Sequence, residues 1–295
     1  MTNQKIEQIL RKALHLGDFA NNSPEWHALR DQPGTISGSE IGAILGLSPF
    51  TSAMTLWAEK TNRLPKDFVG NTAMRLGQLV EPAIRSLYQE QHPEDVVEEV
   101  GTYASGDASW MHANPDGICL DPEGNGYILE IKHTATYWDA VPEHYKAQVF
   151  WYMNVFKLKR AVFAVVNAGR YKEYEVLWDD FEWEAILQQV KKFRECLLKD
   201  TAPEWDGSES TFETIRALSP DVELRDEELG QLGIELFNAN LLFEEAETKL
   251  RELKSRTIAA LNGAKNGTID GQIVCTLNQR AGGSPYLTIK KAGKK

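Results

Sequence analysis

The sequence predicts a mixed α/β fold, in which helices flank a mixed central sheet and a helix and a β-hairpin form a C-terminal extension. Helical spacing dominates up to Pro93, and short strand-like segments around one helix follow it. After residue 205, apolar residues recur at steps of three and four. We therefore expect a domain with N-terminal helices over residues 1–205 and an extension over residues 206–295.

Composition places the chain among ordinary globular proteins. Of its 295 residues, 42% are hydrophobic and 25% are charged. It has no run of about 18 apolar residues, and its polar start lacks a signal-peptide profile, so we expect a cytoplasmic protein without a membrane contact. Cys119, Cys196 and Cys275 form no CxxC pair. This argues against a disulfide framework and against a thiolate zinc site.

The net charge of −11 limits the ways in which the chain could bind nucleic acid. A protein that coats DNA broadly usually presents a basic face. Any contact with DNA must therefore be local, in a channel or pocket that a few Lys and Arg residues line.

The N-terminal segment predicts short helices. The first covers Lys5 to Leu14, and Pro24 opens a second. In the segment ISGSEIGAILG, Ser37 and Ser39 are N-cap candidates for a small-residue helix, whose glycines would let a phosphate or another backbone approach. A longer amphipathic helix follows, with Pro82 as a possible kink and one apolar stripe that contains Leu76, Val80, Ile84 and Leu87.

Strands are expected after Pro93. The segments VVEEVGTYA, WMHAN, DGICL and GYILEIK have strand character, and a turn-rich stretch joins the last two. A helix after Pro142 carries YKAQVFWYMNVF, and AVFAVVN and YKEYEVLW form a hairpin. A helix from about Phe181 to Lys199 closes the domain.

The extension contains a heptad pattern from Leu229 to Leu253. We favour a long helix that packs on its own domain or on a short partner helix over an intermolecular coiled coil. GTIDGQIVCTL and SPYLTIKK then predict a β-hairpin with a basic end. Its role stays open between packing, ring assembly, docking of a recombination partner, and DNA contact through Lys290, Lys291, Lys294 and Lys295.

Several polar residues suggest a site on the predicted sheet. Glu130 and Lys132 share one strand face, while Leu129 and Ile131 share the other. Asp116 precedes the neighbouring strand, so its carboxylate can meet Glu130 at one end of the sheet. Two carboxylates repel each other, and a hard divalent cation such as Mg²⁺ relieves that repulsion.

The same residues match a known nuclease pattern. Asp116, thirteen intervening residues and then Glu130-x-Lys132 resemble the signature of the PD-(D/E)XK nuclease superfamily, with Pro115 supplying the proline. The pattern is short. NPDG is also a good turn sequence, and ExK on an exposed strand is often a solvated charge pair.

An ordered set of motifs is more specific. EWHALR, ISGSEIGAI, GQLVEP, NPDG, LEIK and AQVFWYM occur in this order between residue 25 and about residue 165. In this the chain resembles phage lambda exonuclease and the YqaJ-type viral recombinase nucleases. The resemblance implies a restriction-endonuclease-like fold and a Mg²⁺ site, with Mn²⁺ as a substitute. The implied metal ligands are Asp116, Glu130 and the carbonyl of Ile131, with Lys132 beside the attacking water and Glu81 and Gln148 completing the site. Without it, Gln148 could equally be a helix-surface amide.

The resemblance also implies that Arg30 and Ser39 bind the terminal 5′-phosphate of DNA. An arginine fork can pair with two phosphate oxygens, and a serine at a helix N-terminus adds a donor. The simpler alternatives are a surface salt bridge for Arg30 and a plain N-cap for Ser39. We interpret Trp26 and His27 as packing residues.

The expected function is a Mg²⁺-dependent 5′-to-3′ exonuclease on linear double-stranded DNA. It would leave 3′ single strands for an annealing protein in phage recombination. A homo-oligomer, with a trimeric ring favoured, would let an acidic protein retain DNA. The alternative is an endonuclease of restriction or junction-cutting type on the same fold. A scaffold with a retired site is disfavoured, because all five expected catalytic residues are present.

Overall fold

The computed structural model describes residues 2–19, 23–65 and 72–290. It divides the chain into two compact units, Met1–Pro220 and Asp221–Lys295. No helix in the described ranges combines the length and the apolar character that a membrane span requires.

The first unit contains eight helices and nine strands among its described residues. Its N-terminal elements are α1 (Thr2–Leu10), β1 (Ala13–Gly17), α2 (Pro24–Arg30), β2 (Ile36–Ser37), a 3-10 turn (Gly38–Glu40), α3 (Ile41–Ile44), α4 (Ala53–Lys60) and α5 (Thr72–Gln91). Then come β3 (Val96–Glu98), β4 (Thr102–Ser105), β5 (Met111–Ala113), β6 (Gly117–Leu120), β7 (Gly126–Thr134), α6 (Glu143–Phe156), β8 (Arg160–Asn167), β9 (Arg170–Leu177), α7 (Asp180–Lys199) and α8 (Glu209–Leu218).

The central sheet has the strand order β3-β6-β7-β8-β9. Strands β7 and β8 run parallel and the other neighbours run antiparallel, so the sheet is mixed. Strand β7 is covered on both faces: Leu129 and Ile131 pack with Ile84 of α5, whereas Ile128 belongs to the larger core that contains α6. The predicted mixed α/β fold with flanking helices is confirmed.

A second sheet, ordered β1-β4-β5-β2, corrects the prediction for the N-terminal segments. The first helix ends at Leu10, because Ala13 and Leu14 pair with β4 as strand residues. The segment ISGSEIGAILG is not one capped helix either. Ile36 and Ser37 pair in parallel with β5, a 3-10 turn follows, and only Ile41–Ile44 is α-helical.

The boundary between the units lies at Pro220, whereas the sequence suggested residue 205. The difference comes from α8. Its Thr214 is buried and hydrogen-bonds to Thr55 of α4 at 2.7 Å, and Ser210 bonds to the same hydroxyl at 2.6 Å. Helix α8 therefore packs as part of the first unit.

The second unit contains α9 (Gln231–Leu261), β10 (Asn266–Ile269), β11 (Gln272–Asn278) and β12 (Tyr286–Ile289). The expected hairpin is a three-stranded antiparallel sheet, because the chain already reverses at Asp270 and Gly271, both at positive φ. No described side chain of α9 is buried, and Cys275 is the one buried side chain among residues 221–290. Of the basic end, Lys291, Lys294 and Lys295 lie outside the described residues.

Candidate active site

One cavity of about 550 Å³ in the first unit contains every site residue that the sequence predicted. Two groups of charged side chains line it. We call the group around Asp116 and Glu130 the carboxylate end, and the group around Arg30 the arginine end. The eight predicted residues in the lining are Arg30, Ser39, Glu81, Asp116, Glu130, Ile131, Lys132 and Gln148.

The hairpin of β6 and β7 positions Asp116. Pairing between the strands begins at Gly117 opposite Leu129, so Asp116 lies just beyond the end of the ladder. There its Oδ2 accepts a hydrogen bond of 2.6 Å from the Ile131 N–H. In a strand, the N–H and C=O of one residue point to the same edge. The Ile131 carbonyl therefore faces the edge that Asp116 occupies.

Glu130 is held from two sides. Its side chain is nearly fully buried, and Oε1 accepts hydrogen bonds from Lys132 Nζ at 2.6 Å and from Gln148 Nε2 at 2.9 Å. Gln148 lies on α6 and also donates to the Tyr152 hydroxyl at 2.9 Å, one helical turn further on. The second carboxylate oxygen, Oε2, is buried and has no hydrogen-bond partner within the described chain.

Helix α5 brings Glu81 to the same end. Arg85, one turn later, donates to Glu81 Oε1 at 3.0 Å and to the Asp116 carbonyl at 2.6 Å. It also pairs with the more exposed Glu99 at 3.1 Å. Arg85 thus joins the helix to the loop that carries Asp116.

The carboxylates at this end are more basic than usual. Burial, aided by the Asp116 charge and opposed by Lys132, raises the pKa of Glu130 to about 8. Burial also raises the pKa of Asp116 and of Glu81, and the Asp116 charge adds to the effect on Glu81. Burial alone would lower the pKa of Lys132, but Glu130 and Asp116 outweigh it and raise that pKa. The lysine stays charged, and three carboxylates share the two cations Lys132 and Arg85.

This donor set fits a hard divalent cation. Glu130 Oε2 is an unpaired buried oxygen, and the Asp116 carboxylate and the Ile131 carbonyl face the neighbouring edge. Among the described residues, no group of three or more His, Cys, Asp and Glu side chains forms a metal cluster. Mg²⁺ does not need one, because it is usually held by one or two carboxylates and keeps several waters.

The arginine end is built around Arg30 at the last turn of α2. Its guanidinium donates to Ser39 Oγ and to Glu40 Oε1, both at 3.0 Å, and lies 4.3 Å from the centre of the Trp26 ring. Ser39 is exposed on the 3-10 turn. Trp26 is half-buried against Arg30, and both Trp26 and His27 line the cavity.

The sequence did not reveal Glu40 and Lys60, which complete this end. Lys60 is buried and donates to the carbonyls of Arg30 and Thr35 at 2.9 and 3.0 Å, and its Nζ lies 3.0 Å from Glu40 Oε1. Burial by itself raises the pKa of Glu40. The charges of Lys60 and Arg30 and the Ser37 N–H outweigh that effect, so the pKa is lowered. The spacing Ser37-x-x-Glu40 is a capping-box pattern, which could have drawn attention to Glu40.

A glycine connects the two ends of the cavity. Gly38, beside Ser39, lies so close to the Tyr152 ring that a Cβ at residue 38 would overlap it. Tyr152 in turn accepts the hydrogen bond from Gln148, which holds Glu130. The turn at the arginine end is thus in direct contact with the residues that support the carboxylate end.

Comparison with known proteins indicates which family the chain is similar to. Residues 25–159 match the family of YqaJ-like viral recombinase domains. The uncharacterized protein YqaJ of Bacillus subtilis (strain 168) is 25% identical over 266 residues, which cover 85% of this chain and 82% of that protein. The resemblance stated from the motifs is therefore confirmed.

A solved structure gives the same fold. The alkaline exonuclease LHK-Exo of Laribacter hongkongensis aligns with a TM-score of 0.50 and 23% identity, over 60% of this chain and 94% of that chain. The same values hold for its complex with dAMP.

Proposed function

Since residues 25–159 match the family of YqaJ-like viral recombinase domains, we propose that this chain is a metal-dependent DNA nuclease that digests linear double-stranded DNA from its 5′ ends. It would leave 3′ single strands for strand annealing in phage-type recombination. The nuclease class is supported by the family match and by the fold shared with an exonuclease. The direction of digestion rests on the arginine end.

One observation carries the proposal: a single cavity has a cluster of carboxylates at one end and an arginine beside a serine hydroxyl at the other. At the carboxylate end, Glu81, Asp116 and Glu130 share two cations, Lys132 and Arg85, and Arg85 also pairs with Glu99. At the arginine end, Arg30 and Lys60 both pair with the single carboxylate of Glu40. A cation is favoured at the first end and a phosphate at the second.

The residues of the carboxylate end have distinct roles in this proposal. Asp116, Glu130 and the Ile131 carbonyl would hold the Mg²⁺ or Mn²⁺ ion, which lowers the barrier by polarising the phosphate and activating water. Gln148 fixes the orientation of Glu130. Lys132 keeps its proton and places a positive charge beside Glu130, where it can hold the attacking water and offset charge that develops on the phosphate.

Arg30 and Ser39 are proposed to hold the 5′-terminal phosphate. Lys60 fixes the end of α2 by bonding to the Arg30 carbonyl, and Glu40 orients the guanidinium. An anchored terminal phosphate would set the distance from the DNA end to the scissile bond.

Partners and setting follow from the resemblance. We propose that the protein acts in the cytoplasm with a single-strand annealing protein, and that it forms a homo-oligomer, with a trimeric ring favoured. A ring would retain DNA in spite of the net charge of −11.

The test is digestion of linear duplex labelled at either end, beside the same DNA as a closed circle. We expect release of the 5′ label first, loss of activity in EDTA, recovery with Mg²⁺ or Mn²⁺, and an intact circle. Cutting of the circle would favour an endonuclease. First release of the 3′ label would overturn the proposed direction.

A further inference from the structure

The long helix α9 has an apolar surface that its own unit does not cover. Its seam residues Leu232, Leu236, Phe243, Leu250 and Leu253 are between 43% and 64% exposed. Residues 221–290 bury only Cys275 among their described side chains. Most of the stability of a helix in a protein comes from packing of its apolar face, and this unit has almost no core of its own, so we expect a further surface to cover the seam.

Charge is divided along α9. From Gln231 to Thr248 it carries four acidic residues and no basic one, and from Lys249 to Leu261 it carries four basic residues and one acidic one. Two copies side by side in the same direction would bring like charges together. Two copies in opposite directions place the acidic part of each beside the basic part of the other. The acidic residues of the first part are Glu235, Glu244, Glu245 and Glu247, and the basic residues are Lys249, Arg251, Lys254 and Arg256.

The exposed apolar side chains of α9 are also unevenly distributed, with more of them in its N-terminal half. Near the N-terminus of α9, Ile234, Phe237, Leu241 and Leu242 are exposed outside the seam, so one helix would not cover this half. The strands β10–β12 follow directly after the C-terminus of α9. In an antiparallel pair, they would lie beside the N-terminal half of the other helix. They offer exposed apolar side chains there, namely Ile269, Ile273, Tyr286 and Ile289.

We propose that α9 is a self-association surface and that its partner is α9 of a second copy of this chain, paired antiparallel along the seam. The interface is two-fold and uses the same surface of both copies. This pairing would double the number of chains in any oligomer that the first unit forms by itself. The proposal does not depend on the nuclease activity.

The first test compares the masses of full-length proteins in solution by light scattering. Phe243→Ser combined with Leu250→Ser removes two exposed seam side chains, and we expect this double variant to have half the mass of wild type. The matched control is Val222→Ser with Leu224→Ser, which removes two fully exposed apolar side chains outside α9 and should keep the wild-type mass. Equal masses for wild type and the seam variant would overturn the proposal, and so would docking of a different protein on a seam that does not self-associate.

The second test determines direction by disulfide formation in a Cys196→Ser background. Ala239 and Thr257 are small residues at seam positions near opposite ends of α9, roughly 27 Å apart along the helix. In an antiparallel pair, Ala239→Cys protein crosslinks with Thr257→Cys protein when the two are mixed, and neither crosslinks with itself. Efficient crosslinking of each variant alone would indicate a parallel bundle, as at the centre of a ring, and would overturn the proposed pairing.

Discussion

Glu40 and Glu130 are both almost completely buried in the wall of one cavity, yet their pKa values are shifted in opposite directions. The charges of two cations, Lys60 and Arg30, outweigh the burial that raises the pKa of Glu40, and that pKa is lowered. Burial and the neighbouring Asp116 raise the pKa of Glu130 to about 8, although Lys132 is bonded to it. The surplus of charge around each glutamate, rather than burial, accounts for the difference.

The comparison distinguishes a glutamate whose charge is compensated within the protein from one whose charge is not. The arginine end already has the two cations that its glutamate requires, and Arg30 lines the cavity, where an anion could contact it. The carboxylate end has an unpaired buried oxygen on Glu130 and needs added positive charge. The same substitution at the two glutamates should therefore have different consequences.

The largest expected effect concerns activity at the carboxylate end. Asp116→Asn, Glu130→Gln or Lys132→Ala should each lower nuclease activity by roughly a thousandfold or more, because each disturbs the cation site or the charge beside the phosphate. The measurement is the initial rate of nucleotide release from linear duplex with Mg²⁺. Glu184→Gln, an exposed carboxylate on α7, is the matched control and should retain full activity. Substantial cutting by two of the three variants would remove these residues from the catalytic site.

The second effect concerns stability, and only one of the two glutamates should be needed for it. Glu40→Gln leaves the Lys60 charge buried without its carboxylate, and loss of one partner of a buried pair costs about 3–5 kcal/mol. Glu130→Gln relieves repulsion, so in EDTA at pH 8 it should leave the melting temperature unchanged or raise it. Thermal unfolding of both variants in EDTA tests this contrast. Equal destabilisation by both substitutions would show that the two ends do not differ as proposed.

The third effect is on selection of the DNA end. A charge-assisted contact with phosphate contributes about 1.5–3 kcal/mol, so its loss should slow cleavage of 5′-phosphorylated ends by roughly ten- to a hundredfold. We expect Arg30→Ala to remove most of the preference for 5′-phosphate over 5′-hydroxyl while slow cutting continues. Arg30→Lys should restore this preference only in part, because an ammonium group cannot bind two phosphate oxygens in the bidentate geometry of a guanidinium. The readout is the ratio of rates on the two ends, and an unchanged ratio in Arg30→Ala would assign this residue a packing role.

The smallest effect is a dependence of stability on pH. Folding raises the pKa of Glu130 from the ordinary 4.5 to about 8. Between these values the folded state binds a proton that the unfolded state has released, so metal-free stability falls as the pH rises. The slope is at most about 1.4 kcal/mol per pH unit for one group. Glu130→Gln or saturating Mg²⁺ should flatten it between pH 6 and pH 8. A wild-type slope in EDTA that equals the slope of Glu130→Gln would contradict the assignment.

Local patterns predicted that Asp116, Glu130 and Lys132 lie together, because these three residues are close in sequence. Alternation places Glu130 and Lys132 on one strand face, and a single hairpin brings Asp116 beside them. Arg85 and Tyr152 stand four residues after Glu81 and Gln148, so the helical period alone could have added them. The family resemblance was needed for Glu81, Gln148, Arg30 and Ser39.

The rest depends on long-range packing that no local pattern contains. Lys60 looks like a solvated charge at the end of α4, and only the folded chain brings it to the carbonyls of Arg30 and Thr35. Leu14 has helical spacing but pairs as a strand residue, because β4 is available beside it. The reversal at Asp270 likewise turned one expected strand into two.

The contact between Gly38 and Tyr152 places the turn of the arginine end directly against α6. No side chain separates the turn that carries Ser39 from the ring of Tyr152, which accepts a hydrogen bond from Gln148. A phosphate held at the arginine end would then lie at a set distance from the bond that is cut at the carboxylate end. Product size would then be a property of the protein, independent of the stiffness or sequence of the DNA. A single added methyl group at residue 38 would change that distance and therefore the size of the product.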